Sequence, residues 1–470
     1  MQNKKFIVAS VAALLAGSAQ GAFAQSAAPA GEAVSMTEAI RVAVNSNPEI
    51  AQAQYNTEAI QMERKQAQGL YAPRVDLEGT AGVRRLENTT RRSLNLSDET
   101  LYPREVNARA EWTAIDFGRR RGELLRQAAR VDGASLRVLE RSEFVALQVA
   151  RQYLDLMLQQ RVLAATQDNV GFHQTLVTDL TSGVQQGSIS IADQQQAEER
   201  LQAALVRQSE SEQALEEARI SLRRLSGLDI AQVSLPATLA EQMPVSVDEA
   251  VGLARINNPL VREAEADVDA AHAMASSAKG DLFPRIGVAV NGRYGNDIDG
   301  YRGNTKDVQA NAFLRWNIFD GGINRAKHQE MIRRASQARY RLNDVSRQAE
   351  EDVRRAWTAL RTQGLVTQQL DRQARVSDDL LLSYRSQFNV GRRSLLDVLD
   401  AQNSRYSVQV RLETARFSEI FARYQTLAAT NRFLAALNIA PGAGAGMKER
   451  ERFNFGPPKP AELQYRTMPK

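Results

Sequence analysis

The sequence predicts a mixed α and β chain built from two copies of one plan, in which a pair of strands feeds a very long helix. Three observations predict it. Residues near 75–83, 106–114, 286–290 and 308–316 alternate apolar or small side chains with polar ones, the period-two pattern of strands with one water-averse face. From Arg119 to the glycines at Gly183 and Gly187 a helical period holds for more than 60 residues. That is ~95 Å of helix, longer than a globular domain accommodates. Gly187 and Gly391 lie 204 residues apart, and so do Asp193 and Asp397, so the second half repeats the first.

Taken in order, the chain opens with Lys4 and Lys5, an apolar run from Phe6 to Ala16, and the small-x-small triplet Ala22-Phe23-Ala24. These features predict a cleaved secretory signal over residues 1–24 and hence an exported protein. The apolar run is too short for a membrane anchor. The formal net charge of +5 falls to +3 when Lys4 and Lys5 leave, and the arginines are interleaved with glutamates along helices. Nothing there calls for nucleic acid. There are 0 cysteines, which excludes disulfides, thiolate chemistry, cysteine-ligated metal and a lipidated N-terminal cysteine. No later stretch is long and apolar enough to be a spanning helix, so an exported chain of this kind is either soluble or part of a β-barrel.

The first repeat is expected over residues 36–235. A helical pattern from Met36 to Leu70 is punctuated by Asn47-Pro48, where proline suits the first helical turn. Ala72-Pro73-Arg74 ends it, and Val75, Leu77, Gly79 and Ala81 then alternate with Asp76, Glu78 and Thr80. A polar loop, roughly Glu87 to Arg104, leads to a strand carrying Trp112 that stops at Asp116-Phe117-Gly118. The long helix follows, then a break at Gly183–Gly187 and a return helix from Ile191 to Leu225. The second repeat is expected over 245–438. Asn258-Pro259 and Phe283-Pro284-Arg285 answer Asn47-Pro48 and Ala72-Pro73-Arg74 at an offset of 211, whereas Trp316 and Asp320 answer Trp112 and Asp116 at 204. The seven residues lost between them come most simply from the inter-strand loop. Its long helix has a narrow, alanine-rich seam through Met331, Ala335, Ala338, Leu342 and Val345, suited to a close helical neighbour. The last helix is expected from Ser394 to Asn438, and residues 439–470, rich in glycine, proline and charge, are expected to be a flexible tail.

Four strands cannot close a barrel. A signal peptide, apolar strand faces and polar loops therefore point to a barrel shared among several chains. Trp112 and Trp316, at the helix-proximal strand ends, suit a membrane interface.

The duplicated plan, the two Asn-Pro pairs, the Asp-Phe-Gly and Asp-Gly-Gly strand ends, and the stretch Val390 to Gln402 (VGRRSLLDVLDAQ) together resemble the TolC-type outer-membrane factors, over roughly residues 36–438. The resemblance implies a homotrimer with a twelve-stranded barrel in the outer membrane, continuing into a twelve-helix periplasmic tunnel closed at its tip. It implies a latch between Arg393 and Asp193, with Phe388 in place of the family's tyrosine and so without that hydroxyl. It also implies a constriction ring of Asp397 and Asp400, which on sequence alone serve equally as helix N-terminal carboxylates. The tips around Gly187, Ser188, Gly391 and Arg392 are expected to dock a periplasmic adaptor and an inner-membrane transporter, ABC-type or proton-driven, with outer-membrane lipid around the barrel. The expected function is export through an outer-membrane channel, with protein secretion of type I favoured by the missing lipidated cysteine and drug efflux as the alternative.

Catalysis is not expected: His173, His272 and His328 are scattered on helical patterns with no triad, metal spacing or phosphate loop, and no cofactor is called for. A soluble coiled-coil scaffold is the other class to be distinguished, by whether detergent is needed for extraction.

Overall fold

The computed structural model describes residues 34–96 and 98–454; the expected signal segment lies outside them. Ser35 caps α1 (Met36–Ser46) by accepting the Glu38 N–H, and Asn47 both ends α1 and caps α2 (Pro48–Gly69), with Pro48 at the first turn. A four-residue link leads to β1 (Arg74–Ala81). The loop region contains β2 (Arg84–Arg85), α3 (Thr89–Ser93) and β3 (Thr100–Leu101), followed by β4 (Arg104–Ile115). Then come α4 (Arg119–Gln185) and α5 (Ile191–Ser226). The second half runs α6 (Val247–Asn257), α7 (Pro259–Gly280), β5 (Arg285–Asn296), β6 (Asn304–Arg315), α8 (Ile323–Asn389) and α9 (Leu395–Ala429), with a short α10 (Phe433–Ala436). Each long helix, α4 and α8, has 67 residues. Both start from the same device: Asp116 accepts the Arg120 N–H and Asp320 the Asn324 N–H, each at 2.9 Å.

The strands form one antiparallel sheet in the order β1-β4-β5-β6. Arg74 sits opposite Glu111, and Arg285 opposite Arg315, so the two hairpins share one register. Val75, Leu77, Val308 and Leu314 are exposed on the apolar face, and the sheet has no core of its own on that side. On the polar face Arg315 reaches Glu111 at 2.7 Å, and Gly287 lets the Phe313 ring lie across β5, since a Cβ there would meet that ring at 2.6 Å.

The largest core lies where α1, α4, α5, α9 and α10 converge, around Ile40, Val149, Tyr153, Leu156, Tyr424, Leu427 and Phe433. The Tyr153 hydroxyl accepts the Ser234 N–H at 2.8 Å, and Tyr424 donates to Ala237 O at 2.6 Å, so both tyrosines hold the connector between repeats against the helices. The halves are interleaved: a Cβ on Gly122 of α4 would meet Ser277 N of α7 at 2.6 Å, and one on Gly280 would meet Arg119 N at 2.9 Å.

Three expectations need correction. The final helix does not run to Asn438: it ends at Ala429, and Asn431 at φ 55° turns the chain so that Phe433 packs on Tyr424, ring centroids 5.2 Å apart. The segment from 439 onward is not simply a loose tail. Up to 454 it docks on α4 through its own backbone, Gly442 N–H to Ser142 Oγ at 3.0 Å and Met447 N–H to Ser135 Oγ at 2.9 Å. Composition missed this because the segment supplies donors and glycines to a neighbouring surface rather than a core of its own. The remainder of the expected tail lies outside the described residues. The inter-strand loop near 87–104 is likewise built: Arg91, 1% exposed, directs its guanidinium at the carbonyls of Gly300 and Glu99, so the loops of the two hairpins interlock.

Candidate functional site

The two hairpin tips are the same turn written twice. Gly187 at φ 74° and Gly391 at φ 73° take the left-handed conformation that ends a helix cheaply only at glycine. In each, the next residue's N–H reaches back to close the helix, Ser188 to Gly183 O and Arg392 to Gln387 O, both at 2.9 Å. Ser190 and Ser394 then cap the return helices, and Asp193 and Asp397 sit at the third position of those helices. Ser190 donates to Asp193 and Ser394 to Asp397, each at 2.7 Å. The Ser394 hydroxyl, helped by the Ser394 N–H and Arg393, holds the Asp397 carboxyl below its ordinary range. Both aspartates are thus capping groups within one copy, and Asp400 is exposed one turn further along α9.

Arg393 lies over the ring of Tyr384, 4.1 Å from its centroid, with Nε 3.3 Å from Gln387 Oε1 and a guanidinium nitrogen 3.8 Å from Asp397. Within one copy it makes no described contact with Asp193. Phe388 turns into the tip core with Leu176, Leu180, Leu395 and Leu399. The aromatic under the arginine is therefore Tyr384, one turn before Phe388. Sequence reasoning missed it, although the four-residue spacing of Tyr384 and Phe388 was the available signal.

Above the tip, a buried polar ladder ties the two hairpins together. Gln402 donates to Asn169 at 2.8 Å, and the Thr166 and Tyr406 hydroxyls lie 3.0 Å apart. These residues are more than 200 positions apart in sequence, and no local pattern pairs them. His173, on the same stretch of α4, is buried edge-on to Phe172, and burial pushes its pKa down, with Arg200 and Arg207 adding to the effect.

At the opposite end of the helices, Trp112 and Trp316 occupy equivalent places. Each is exposed, and each indole N–H donates across the junction, to Tyr71 O at 3.0 Å and Leu282 O at 3.2 Å. Phe117 stacks on Phe283 beside them, and Arg120 covers Tyr71. Among the described residues there is no helix long and apolar enough to cross a membrane, and no cluster of side chains suited to a metal ion.

The family described as outer membrane efflux protein matches residues 39–228 and 250–438, one match per repeat. The chain is 24% identical over 294 residues to the outer membrane efflux protein BepC of Brucella suis, covering 61% of this chain and 63% of that one, so the match spans somewhat less than two thirds of that relative. It is 22% identical over 369 residues to the outer membrane protein TolC of Vibrio cholerae, covering 75% and 80% of the two chains. Among solved structures, the CmeC outer membrane channel of Campylobacter jejuni superposes with a TM-score of 0.76 at 12% identity, covering 89% of this chain and 88% of that one. The sheet of four strands continuing into paired long helices is the fold of these channels. With both repeats matched separately and the fold in agreement, the chain belongs to the outer membrane efflux protein family, of the TolC type, and is an outer-membrane protein.

Proposed function

We propose that three copies assemble into one conduit, a twelve-stranded barrel in the outer membrane continuous with a tunnel of long helices, through which cargo handed over by an inner-membrane transporter leaves the cell. The observation that carries this reading is the sheet itself: four strands with an apolar and a polar face, open at both edges, continuing into helices of 67 residues. Open edges facing lipid would leave backbone groups unpaired, and closure with further copies removes them. Trp112 and Trp316 then mark the membrane interface near the helices.

The tips form the gate. Arg393 reaches Asp193 of a neighbouring copy in the closed state, and Asp397 with Asp400 from each copy converge on the axis. Adaptor and transporter dock at Gly187, Ser188, Gly391 and Arg392 and shift a closed–open equilibrium. Each exposed pair is worth about 1 kcal/mol or less, weak enough for a binding partner to release.

Cargo is the finer question. The absence of cysteine from a chain with an exported leader favours secretion of a protein by an ABC transporter; the efflux function named for the Brucella relative favours small toxic compounds driven by a proton-coupled pump. Cross-linking in cells followed by identification of the co-purified inner-membrane transporter separates them. Extraction without detergent, with no transporter attached, would instead support a soluble scaffold.

A further inference from the structure

We infer that the apolar side of the sheet carries, at its end away from the helices, a binding site for lipid headgroup phosphate, built from Arg104 and Lys306 around Tyr294. This rests on the shared-barrel reading, which turns the apolar face of the sheet to the membrane.

The strand registers assign the face. Ala110 lies opposite Val75 and Val290, and Val290 opposite Ala310, so these four share one side of the sheet. Residues two apart along a strand stay on that side. Followed toward the helices, β4 shows Trp112 on this face and β6 leads to Trp316. Followed the other way, β4 ends on Arg104 and β6 shows Lys306 near its start, with only apolar or small residues between. Lys306 and Trp316 are ten residues apart. That is ~33 Å along a strand, and a barrel tilt of ~40° makes it ~25 Å in height, the height of an outer-membrane apolar band.

In β1, β4, β5 and β6 this face holds no aspartate or glutamate, and Arg104 and Lys306 are its two cations. Both are exposed, and neither forms an ion pair among the described residues. The surrounding arginines differ. Arg85 pairs with Asp98, Arg92 with Glu87, Arg293 with Asp299 and Arg302 with Glu99, at 2.7–2.9 Å. On the polar face Arg109 and Arg315 share Glu111. Asp297, which follows β5, is turned in to accept the Gly303 N–H at 3.0 Å. The protein thus supplies anions to its other exposed sheet and loop arginines named here, and none to the two at the apolar rim.

The rim also has the form of a headgroup site. Lys306 Nζ lies 5.7 Å from the ring centroid of Tyr294, which is directly opposite and 53% exposed. Arg104 sits opposite Asn296, whose amide donates to Asn304 at 3.1 Å, so uncharged amides fill the row beside the cations. Arg104 and Lys306 are two strands and two residues apart, ~12 Å between Cα atoms, a span that one multiply phosphorylated headgroup can engage at both ends. Cations above an apolar band, with an aromatic ring between them, match phosphates carried on acyl chains.

The test uses the full chain, purified as a trimer in detergent and titrated with lipid A, a bisphosphorylated glycolipid, with retained lipid counted by native mass spectrometry. The unaltered protein is expected to retain it. Arg104→Gln with Lys306→Gln is expected to bind about thirtyfold more weakly, about fivefold per cation. Arg104→Lys with Lys306→Arg keeps both charges and is expected to bind as the unaltered protein does, which separates charge from damage to the fold. Arg293→Gln with Arg302→Gln removes two paired loop arginines and is expected to leave binding unchanged. Inorganic phosphate at the same concentration is expected not to displace the lipid; displacement would overturn a lipid site in favour of a free-anion site. A trimer that binds equally with and without Arg104 and Lys306, or loses as much with the loop arginines, overturns the site and leaves the shared barrel standing. A native mass of one chain overturns both.

Discussion

Arg393 makes three contacts at the tip, with Tyr384 and Gln387 at the end of α8 and Asp397 at the start of α9. It is pre-positioned by that turn, and a latch to another copy uses a side chain already held. At about 1 kcal/mol or less per exposed pair, Arg393→Ser shifts the closed–open balance by up to about fivefold per copy. Single-channel recording is expected to show higher mean conductance; unchanged conductance would remove Arg393 from the gate. Tyr384→Ala is expected to act in the same direction more weakly, since an exposed cation–π contact is worth about 0.5–1 kcal/mol. Glu143 is a different kind of residue. Buried on α4, and accepting the Leu434 N–H at 3.3 Å, it is pushed by burial up to about 8. A carboxyl raised in the folded state stabilises fully below its unfolded pKa near 4.5 and loses that contribution as pH rises through the folded value. Thermal stability should therefore decline from pH 5 to pH 9, and Glu143→Gln should flatten that slope, with the variant the more stable of the two at pH 9. An equal slope in both proteins would show that Glu143 is not the titrating group.

At the scale of elements, the docked C-terminal strap is the feature with most consequence. Arg450 bridges Asp132 of the first repeat at 3.0 Å and Asp269 of the second at 2.8 Å, and it is the strap's charged anchor between them. Burial holds both carboxyls above their ordinary range even with the arginine present. Removing the cation leaves two buried carboxylates, so Arg450→Ala is expected to cost about 3 kcal/mol. The raised carboxyls give the sign: the loss should be smallest at pH 5 and largest at pH 8, read by melting and by protease cleavage near 450. A pH-independent loss would mean that packing, not charge, anchors the strap. The elements also show what the sequence could and could not reveal. Asn47-Pro48, Asn258-Pro259 and the strand alternation are local signals, and each appears where local chemistry requires it. Arg91 buried among carbonyls, the Asn169–Gln402 bond and the strap depend on partners more than 200 residues away, or on backbone donors that composition does not display. Asn431 is the intermediate case: an asparagine can enter the left-handed region, but only the Tyr424–Phe433 packing selects that turn over a continued helix.

For the whole molecule, the repeat is the governing fact. One chain carries two strand pairs, two long helices and two tips. In the proposed trimer Asp397 and Asp400 of each copy would meet at one constriction, and such a concentration of carboxylates would favour cations and bind multivalent ones. Asparagine keeps a capping oxygen at position 397 and removes the charge at both positions, so structure and selectivity separate. The most direct test is the reversal potential of purified protein in a planar bilayer under a salt gradient. A steady aqueous conductance with cation preference, blocked by a trivalent cation and neutral in selectivity after Asp397→Asn with Asp400→Asn, is the predicted result. The absence of any conductance, or a selectivity that the two substitutions leave untouched, would contradict it.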